Sequence, residues 1–189
     1  GNCVQLLLAA HAAIDQPEAS GCTPLYAASS QGHGNCVQLL LAAHAAIDQP
    51  QNDGCTPLFA ASFVGHGDCV QQLLAAYAAI DQPDVHGCTP LYAASSQGHG
   101  SCVQLLLATH AAIDQPDAHG RTPLFITSGR GHSECVQLLL AAHAAIDHPQ
   151  NDGITPLFVA SHNGHGECMQ LLLASHAVTE QPDRVGRTP

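Results

Sequence analysis

Asp48-Gln49-Pro50, then Gly54-Cys55-Thr56-Pro57-Leu58-Phe59-Ala60-Ala61-Ser62, Gly65-His66 and Cys69-Val70 ahead of a leucine-rich run, decides the fold, because the chain repeats it. Thr-Pro stands at Thr23, Thr56, Thr89, Thr122, Thr155 and Thr188, each 33 residues after the last, with no insertion. A fixed period of that length marks a stack of supersecondary units. Five complete units span 15–47, 48–80, 81–113, 114–146 and 147–179, with a partial unit before them at 1–14 and another after them at 180–189. Residues 1–189 therefore read as a single array.

Within a unit the local chemistry is explicit. Thr23 can cap a helix with its hydroxyl, and Pro24 suits the first helical position, where its missing N–H would lack a partner anyway. The residues predict a short helix from Pro24 to about Gln31, ended by Gly32, and a second from about Gly34 to Ala43. In the second, Cys36, Val37, Leu40 and Leu41 share one face at helical spacing, and Leu39 extends it. Asp48-Gln49-Pro50 to Gly54 is turn chemistry and predicts a hairpin-like loop between one helix pair and the next.

Helices of about ten residues are marginal in water on their own. The units must therefore stack, each closing its neighbour's core, and an all-α solenoid of helix-turn-helix repeats with short β-hairpin loops follows. The small Ala27-Ala28 pair, echoed at Ala60-Ala61 and Ala93-Ala94, lets adjacent first helices approach closely. Composition agrees: 46% of residues are apolar but only 4% aromatic, with no Trp, so the core is built from Leu, Ala, Val, Ile and Cys.

Gly21-Cys22-Thr23-Pro24-Leu25 and its copies, Gly32-His33, and Val37 with Leu40-Leu41 resemble the ankyrin repeats, and the likeness covers nearly the whole chain. The resemblance implies hairpins and first helices lining a concave face, second helices forming the back, and a role in binding other proteins without catalysis or cofactor. Two features depart from the family pattern. The usual His after Thr-Pro-Leu is Tyr26, Phe59, Tyr92, Phe125 and Phe158, rings expected to pack between units. The usual Gly after the second helix is His11, His44, Tyr77, His110, His143 and His176. If the backbone turns left-handed there, each position is strained, and His44→Gly is expected to raise the melting temperature.

The nine cysteines and fourteen histidines follow the repeat rather than any chemistry. Cys3, Cys36, Cys69, Cys102, Cys135 and Cys168 begin the leucine-rich helix on its buried face. Stacked helices lie about 8–10 Å apart, too far for a disulfide, so these read as small core hydrophobes in a reducing compartment. Cys22, Cys55 and Cys88 precede Thr-Pro and are expected to be partly exposed. Arg121 and Ile154 fill the same slot, so nothing there requires sulfur. No Cys-x-x-Cys or His-x-x-x-His pair offers a metal site, and His33, His66, His99, His132 and His165 sit at the turn between helices, where a ring can satisfy free backbone groups. Protonating all fourteen histidines would carry the formal charge from −11 to +3 and set like charges in rows along the array. A lower denaturation midpoint near pH 5 than near pH 7 is expected.

An acidic chain with four basic residues excludes a basic nucleic-acid footprint. Its apolar runs fall short of the roughly 18 residues of a membrane span, and no signal peptide is legible. No unit differs so as to assemble a catalytic triad, and no phosphate-binding loop is present. Met169 is the only Met and both ends cut the repeat, so a piece of a longer protein is expected, with uncapped ends prone to self-association.

Specificity is expected where units differ. Hairpin tips read Ala19-Ser20, Asn52-Asp53, Val85-His86, Ala118-His119 and Asn151-Asp152. The end of the first helix reads Ser30-Gln31, Phe63-Val64, Ser96-Gln97, Gly129-Arg130 and His162-Asn163. In the family's geometry both sets face the groove. Phe63-Val64 offers an apolar anchor, and Arg121 and Arg130 are suited to an acidic group on a partner. The reading is a cytoplasmic or nuclear scaffold that binds a protein partner through Ser20, Ser30, Gln31, Asn52, Asp53, Phe63, Val64, Val85, His86, Ser96, Gln97, His119, Arg121, Arg130, Asn151, Asp152, His162 and Asn163. The alternatives are the substrate-recognition segment of a modular enzyme or ubiquitin-ligase adaptor, and a purely structural array.

Overall fold

A computed structural model describes residues 13–189, so His11 and Cys3 lie outside the described residues. Among the described residues ten helices follow in pairs: α1 (Pro24–Ser30) with α2 (Gly34–Ala42), α3 (Pro57–Val64) with α4 (Gly67–Ala75), α5 (Pro90–Gln97) with α6 (Gly100–Ala108), α7 (Pro123–Arg130) with α8 (Ser133–Ala141), and α9 (Pro156–His162) with α10 (Gly166–Ala174). First helices pack on first helices and second on second, one unit to the next, which makes a two-layer row. Each first helix starts as its sequence dictates. The Thr hydroxyl at the cap accepts the N–H of the residue three further on, at 3.1–3.2 Å in all five units.

The core is one continuous ribbon between the layers. Leu25, Leu58, Leu91, Leu124 and Leu157 fill it from the first helices, and Val37, Val70, Val103 and Val136 fill it from the second. Cys69, Cys102, Cys135 and Cys168 are buried within it as expected, their thiols pushed up in pKa by burial; Cys36 is half-buried. Cys22, Cys55, Cys69, Cys88, Cys102, Cys135 and Cys168 are free thiols. Ala60, Ala61, Ala93 and Ala94 are buried between first helices. A second, smaller cluster forms where Phe59 meets Ala93 of the next unit together with Cys55, Tyr26 and Cys88. The rings that replace the family's His do pack between units. One expectation fails: Cys55 is buried, because the Phe59 ring and the following hairpin close over it.

The loops are tight turns rather than strands, since no strand occurs among the described residues. Each is closed by its own backbone, Gln51 N–H to Cys55 C=O at 3.0 Å for example. Each is also tied to the previous loop, as Asn52 N–H is to Ser20 C=O at 3.2 Å.

Two side-chain ladders stitch the units together. Asp15, Asp48, Asp81, Asp114 and Asp147 each accept, through Oδ1, the N–H of the residue 31 positions on, at 2.8–2.9 Å. His66, His99, His132 and His165 place Nε2 3.1–3.2 Å from the carbonyls of Ser30, Phe63, Ser96 and Gly129 in the preceding unit. A carbonyl only accepts, so Nε2 carries the proton in each ring. A hydrogen bond to a charged acceptor contributes about 1.5–3 kcal/mol, so Asp81→Ala is expected to lower unfolding free energy by about that amount in urea denaturation. Asp81→Asn keeps an acceptor and should cost clearly less.

The second helices all end the same way. Ala45 N–H donates to Leu40 C=O and His44 N–H to Leu41 C=O, both at 3.0 Å, which is the Schellman arrangement and needs a left-handed residue at 44. His44, Tyr77, His110, His143 and His176 accordingly have φ between 63° and 68°.

Candidate functional site

The hairpin loops and first helices form a continuous face with two adjoining grooves. One, of about 310 Å³, is walled by Tyr26, Cys55, Phe59, Phe63 and Val64, with Ser30, Asp53 and Asp84 at its rim. The other, of about 320 Å³, runs from Phe59, Phe63 and Asp84 past His86, Cys88 and Tyr92 to Ser96, Gln97, His119, Arg121 and Arg130. Phe59, Phe63 and Asp84 border both. The Phe59 and Phe63 rings stack with centroids 6.3 Å apart and 7° between their planes, and Phe63 remains 45% exposed.

The structure thus brings Ser30, Asp53, Phe63, Val64, His86, Ser96, Gln97, His119, Arg121 and Arg130 onto one surface. Ser20, Gln31, Asn52, Val85, Asn151, Asp152, His162 and Asn163 lie outside the two grooves. Several of these serve the stack itself. Asn52 and Asn151 donate from Nδ2 to Ala19 and Ala118 carbonyls, and Asn163 donates to Gly129 C=O at 2.7 Å, each across a unit boundary; His162 stacks on Phe158 within its own helix. Ser96 is buried and its hydroxyl donates to Ala93 C=O.

Electrostatics divide the face. Asp53 and Asp84 make one end acidic, and Arg121 and Arg130 lie at the other. Both guanidiniums also have partners within the chain. Arg130 donates from Nη1 to Ser96 C=O at 2.7 Å, and Arg121 donates from Nε to Oδ2 of Asp117 at 2.7 Å. Asp117 is buried. Burial works to raise its pKa, but hydrogen bonds from the Arg121 side chain and from the Arg121 and His119 N–H groups outweigh it and hold the carboxyl below the usual range. The Tyr92 hydroxyl donates to the same oxygen at 3.1 Å, and burial followed by that carboxylate pushes the phenol up. Burial, then Asp53, raises the Cys55 thiol to about 12; burial, then Asp84, raises Cys88 to about 12. Thiols so hard to ionise are poor nucleophiles.

A wider depression of about 580 Å³ lies over Gly32, Gly65, His66 and Gly67, with Asp68, Gln71, Ser101, Gln104 and Leu105 around it. It has no Phe or Tyr in its lining. Among the described residues no three His, Cys, Asp or Glu side chains lie close enough to hold a metal ion, and no helix is long and apolar enough to cross a membrane.

A row of 33-residue helix pairs with loops projecting to one side is the architecture of a known repeat family. A family model described as ankyrin repeats, three copies, matches overlapping stretches at 1–84, 43–117, 78–148 and 130–189. The chain belongs to the ankyrin-repeat family. No curated protein matches the chain significantly. Ankyrin repeats are in general protein-binding scaffolds and typically non-catalytic.

The sequence points to Phe63 as the groove's anchor and marks position 84 only as variable, Glu18 standing there in the first unit, while nothing in it singles out Phe59, Tyr92 or Asp117 as groove residues. The rings read as inter-unit packing, which they also are. The aspartates share their position with Glu18, Gln51 and Gln150, so the repeat pattern alone does not single out a carboxylate there.

Proposed function

We propose that this ankyrin array is a protein-interaction scaffold whose partner lies along the hairpin and first-helix face, centred on Phe63 and Val64. The observation that carries the reading is the meeting of both grooves at the stacked Phe59–Phe63 pair, with Phe63 and Val64 each 45% exposed. Binding energy concentrates where an aromatic side chain can be fully desolvated inside a ring of polar contacts. Here Ser30, Asp53 and Asp84 supply that rim on one side, and Gln97 and Arg130 supply it on the other.

A partner captured by the wild-type chain tests it. Phe63→Ala removes the exposed ring and leaves Phe59 in the core, so unfolding should change little. Affinity should fall by about 2 kcal/mol or more, roughly 30-fold, read by calorimetry. An unchanged affinity would place the interface elsewhere.

A further inference from the structure

The repeat contains its own comparison for one part of the groove. Three positions recur together: the ring after Thr-Pro-Leu, the first residue of the next hairpin turn, and the residue before the next Thr-Pro. They read Tyr26, Gln51, Cys55; Phe59, Asp84, Cys88; Tyr92, Asp117, Arg121; Phe125, Gln150, Ile154; and Phe158, Asp183, Arg187. In two of the three sets that hold an aspartate, an arginine of the same chain covers it. Arg121 and Arg187 each donate from Nε to Oδ2, of Asp117 and Asp183, at 2.7 Å, and each pair is closed further by Nη2. Arg187 also lies over the Phe158 ring, 5.6 Å from its centroid.

Asp84 is held in the same pose. Its Oδ1 accepts the His86 and Cys88 N–H groups at 2.9 and 2.8 Å. Asp117 uses Oδ1 for His119 and Arg121, and Asp183 uses it for Val185 and Arg187, all at 2.8–2.9 Å. The remaining oxygen is therefore presented alike in all three. At Asp84 the place of the guanidinium belongs to the Cys88 thiol, a weak donor, and among the described residues no cation lies within 4 Å of Asp84. Asp84 and Phe59 both open onto the grooves, beside Phe63 and Asp53.

We propose that the Phe59–Asp84 niche receives an arginine side chain from a partner protein. The guanidinium takes the place Arg121 and Arg187 occupy in their units, donating to the outer oxygen of Asp84 with its plane against the Phe59 and Phe63 rings. Charge favours this occupant twice over, through Asp53 at the same rim and through the net −11 of the chain, which speeds encounter with basic segments. A planar fork suits an aromatic wall and a fixed carboxylate better than an ammonium does. The inference rests on the proposed groove and specifies its chemistry.

The test is a titration of the isotope-labelled chain with N-acetyl-arginine amide, read from backbone amide shifts. Saturable shifts confined to residues 53–55, 59–64 and 84–88 are expected, with half-saturation at about 1–10 mM, as suits a single small contact. The neutral isostere N-acetyl-citrulline amide should bind at least tenfold more weakly. Asp84→Asn should lose the site to the same degree. Cys88→Arg should lose it too, while raising the melting temperature, because its own guanidinium then covers Asp84. Shifts that persist in Asp84→Asn, or that spread evenly over the aspartates of the array, would overturn the niche. So would a chain indifferent to the arginine probe that still captured a partner through Phe63, an outcome that leaves the groove reading intact. Arginine binding with partner capture insensitive to Phe63→Ala would do the reverse, supporting the niche and removing the groove.

Discussion

A chain carrying His44→Gly, Tyr77→Gly, His110→Gly, His143→Gly and His176→Gly together is expected to be more stable than the natural one by roughly 3–5 kcal/mol. The cause is visible in the backbone. All five residues sit at φ between 63° and 68°, where a β-carbon crowds the adjoining carbonyl at a cost of about 1–2 kcal/mol. Glycine escapes that crowding and returns about half the gain as extra freedom in the unfolded chain. Little else is lost, because all five side chains are exposed and Tyr77 is 91% so. The Schellman bonds on either side involve backbone only, Ala78 N–H to Leu73 C=O at 3.0 Å for instance, and remain. One site per unit, each with its own bonds, makes the increments nearly additive. For a chain of this length each kcal/mol moves the melting temperature by about 2–4 °C, so a rise on the order of 10 °C should appear in a thermal scan. The alanine series at the same sites keeps the β-carbon and should not rise. A glycine series that melts no higher than the natural chain would contradict the strain.

These five positions also show what the sequence makes legible. A period of 33 with no insertion fixes which residues are equivalent, so one helix cap reads as five, and the left-handed turn follows from where the leucine run stops. The helix starts at Thr-Pro and the inward face of Val37 and Leu40 are legible for the same reason: the signals are local, and local chemistry is what a sequence prints directly. What is not legible depends on partners one unit away. Asp48 looks like a turn residue until its carboxylate is seen to hold Ala79 N–H, 31 residues on. Cys55 looks half-exposed until Phe59 and the next hairpin close over it. The grooves are of this second kind. Phe63 stands out by composition, whereas Asp84 matters only because it keeps the pose of Asp117 and Asp183 without their arginines.

The largest expected loss comes from Gly98→Ala at the end of α5. Gly98 has φ 77°, and a β-carbon there would lie 2.6 Å from Nδ1 of His132 and 2.9 Å from its Cγ. The ring has little room to retreat, since its Nε2 is bonded to Ser96 C=O across the boundary between units 81–113 and 114–146. Alanine therefore adds left-handed strain of about 1–2 kcal/mol and forces the ring off a bond that contributes about 1 kcal/mol more. A total of about 2–3 kcal/mol is expected in urea denaturation. Gly164→Ala separates the two parts, because Gly164 shares the turn, at φ 76°, yet nothing lies within 4 Å of its added carbon. It should cost only the strain. The double variant Gly98→Ala with His132→Ala should cost less than the two single changes added, by about 1–2 kcal/mol, because the bond is lost once and the collision disappears. Stability in a solenoid passes only between neighbours. A weakened boundary between 113 and 114 should therefore let the two flanking blocks melt apart, and a single unbroken transition in Gly98→Ala would mean that the histidine contributes less to unit coupling than its geometry requires.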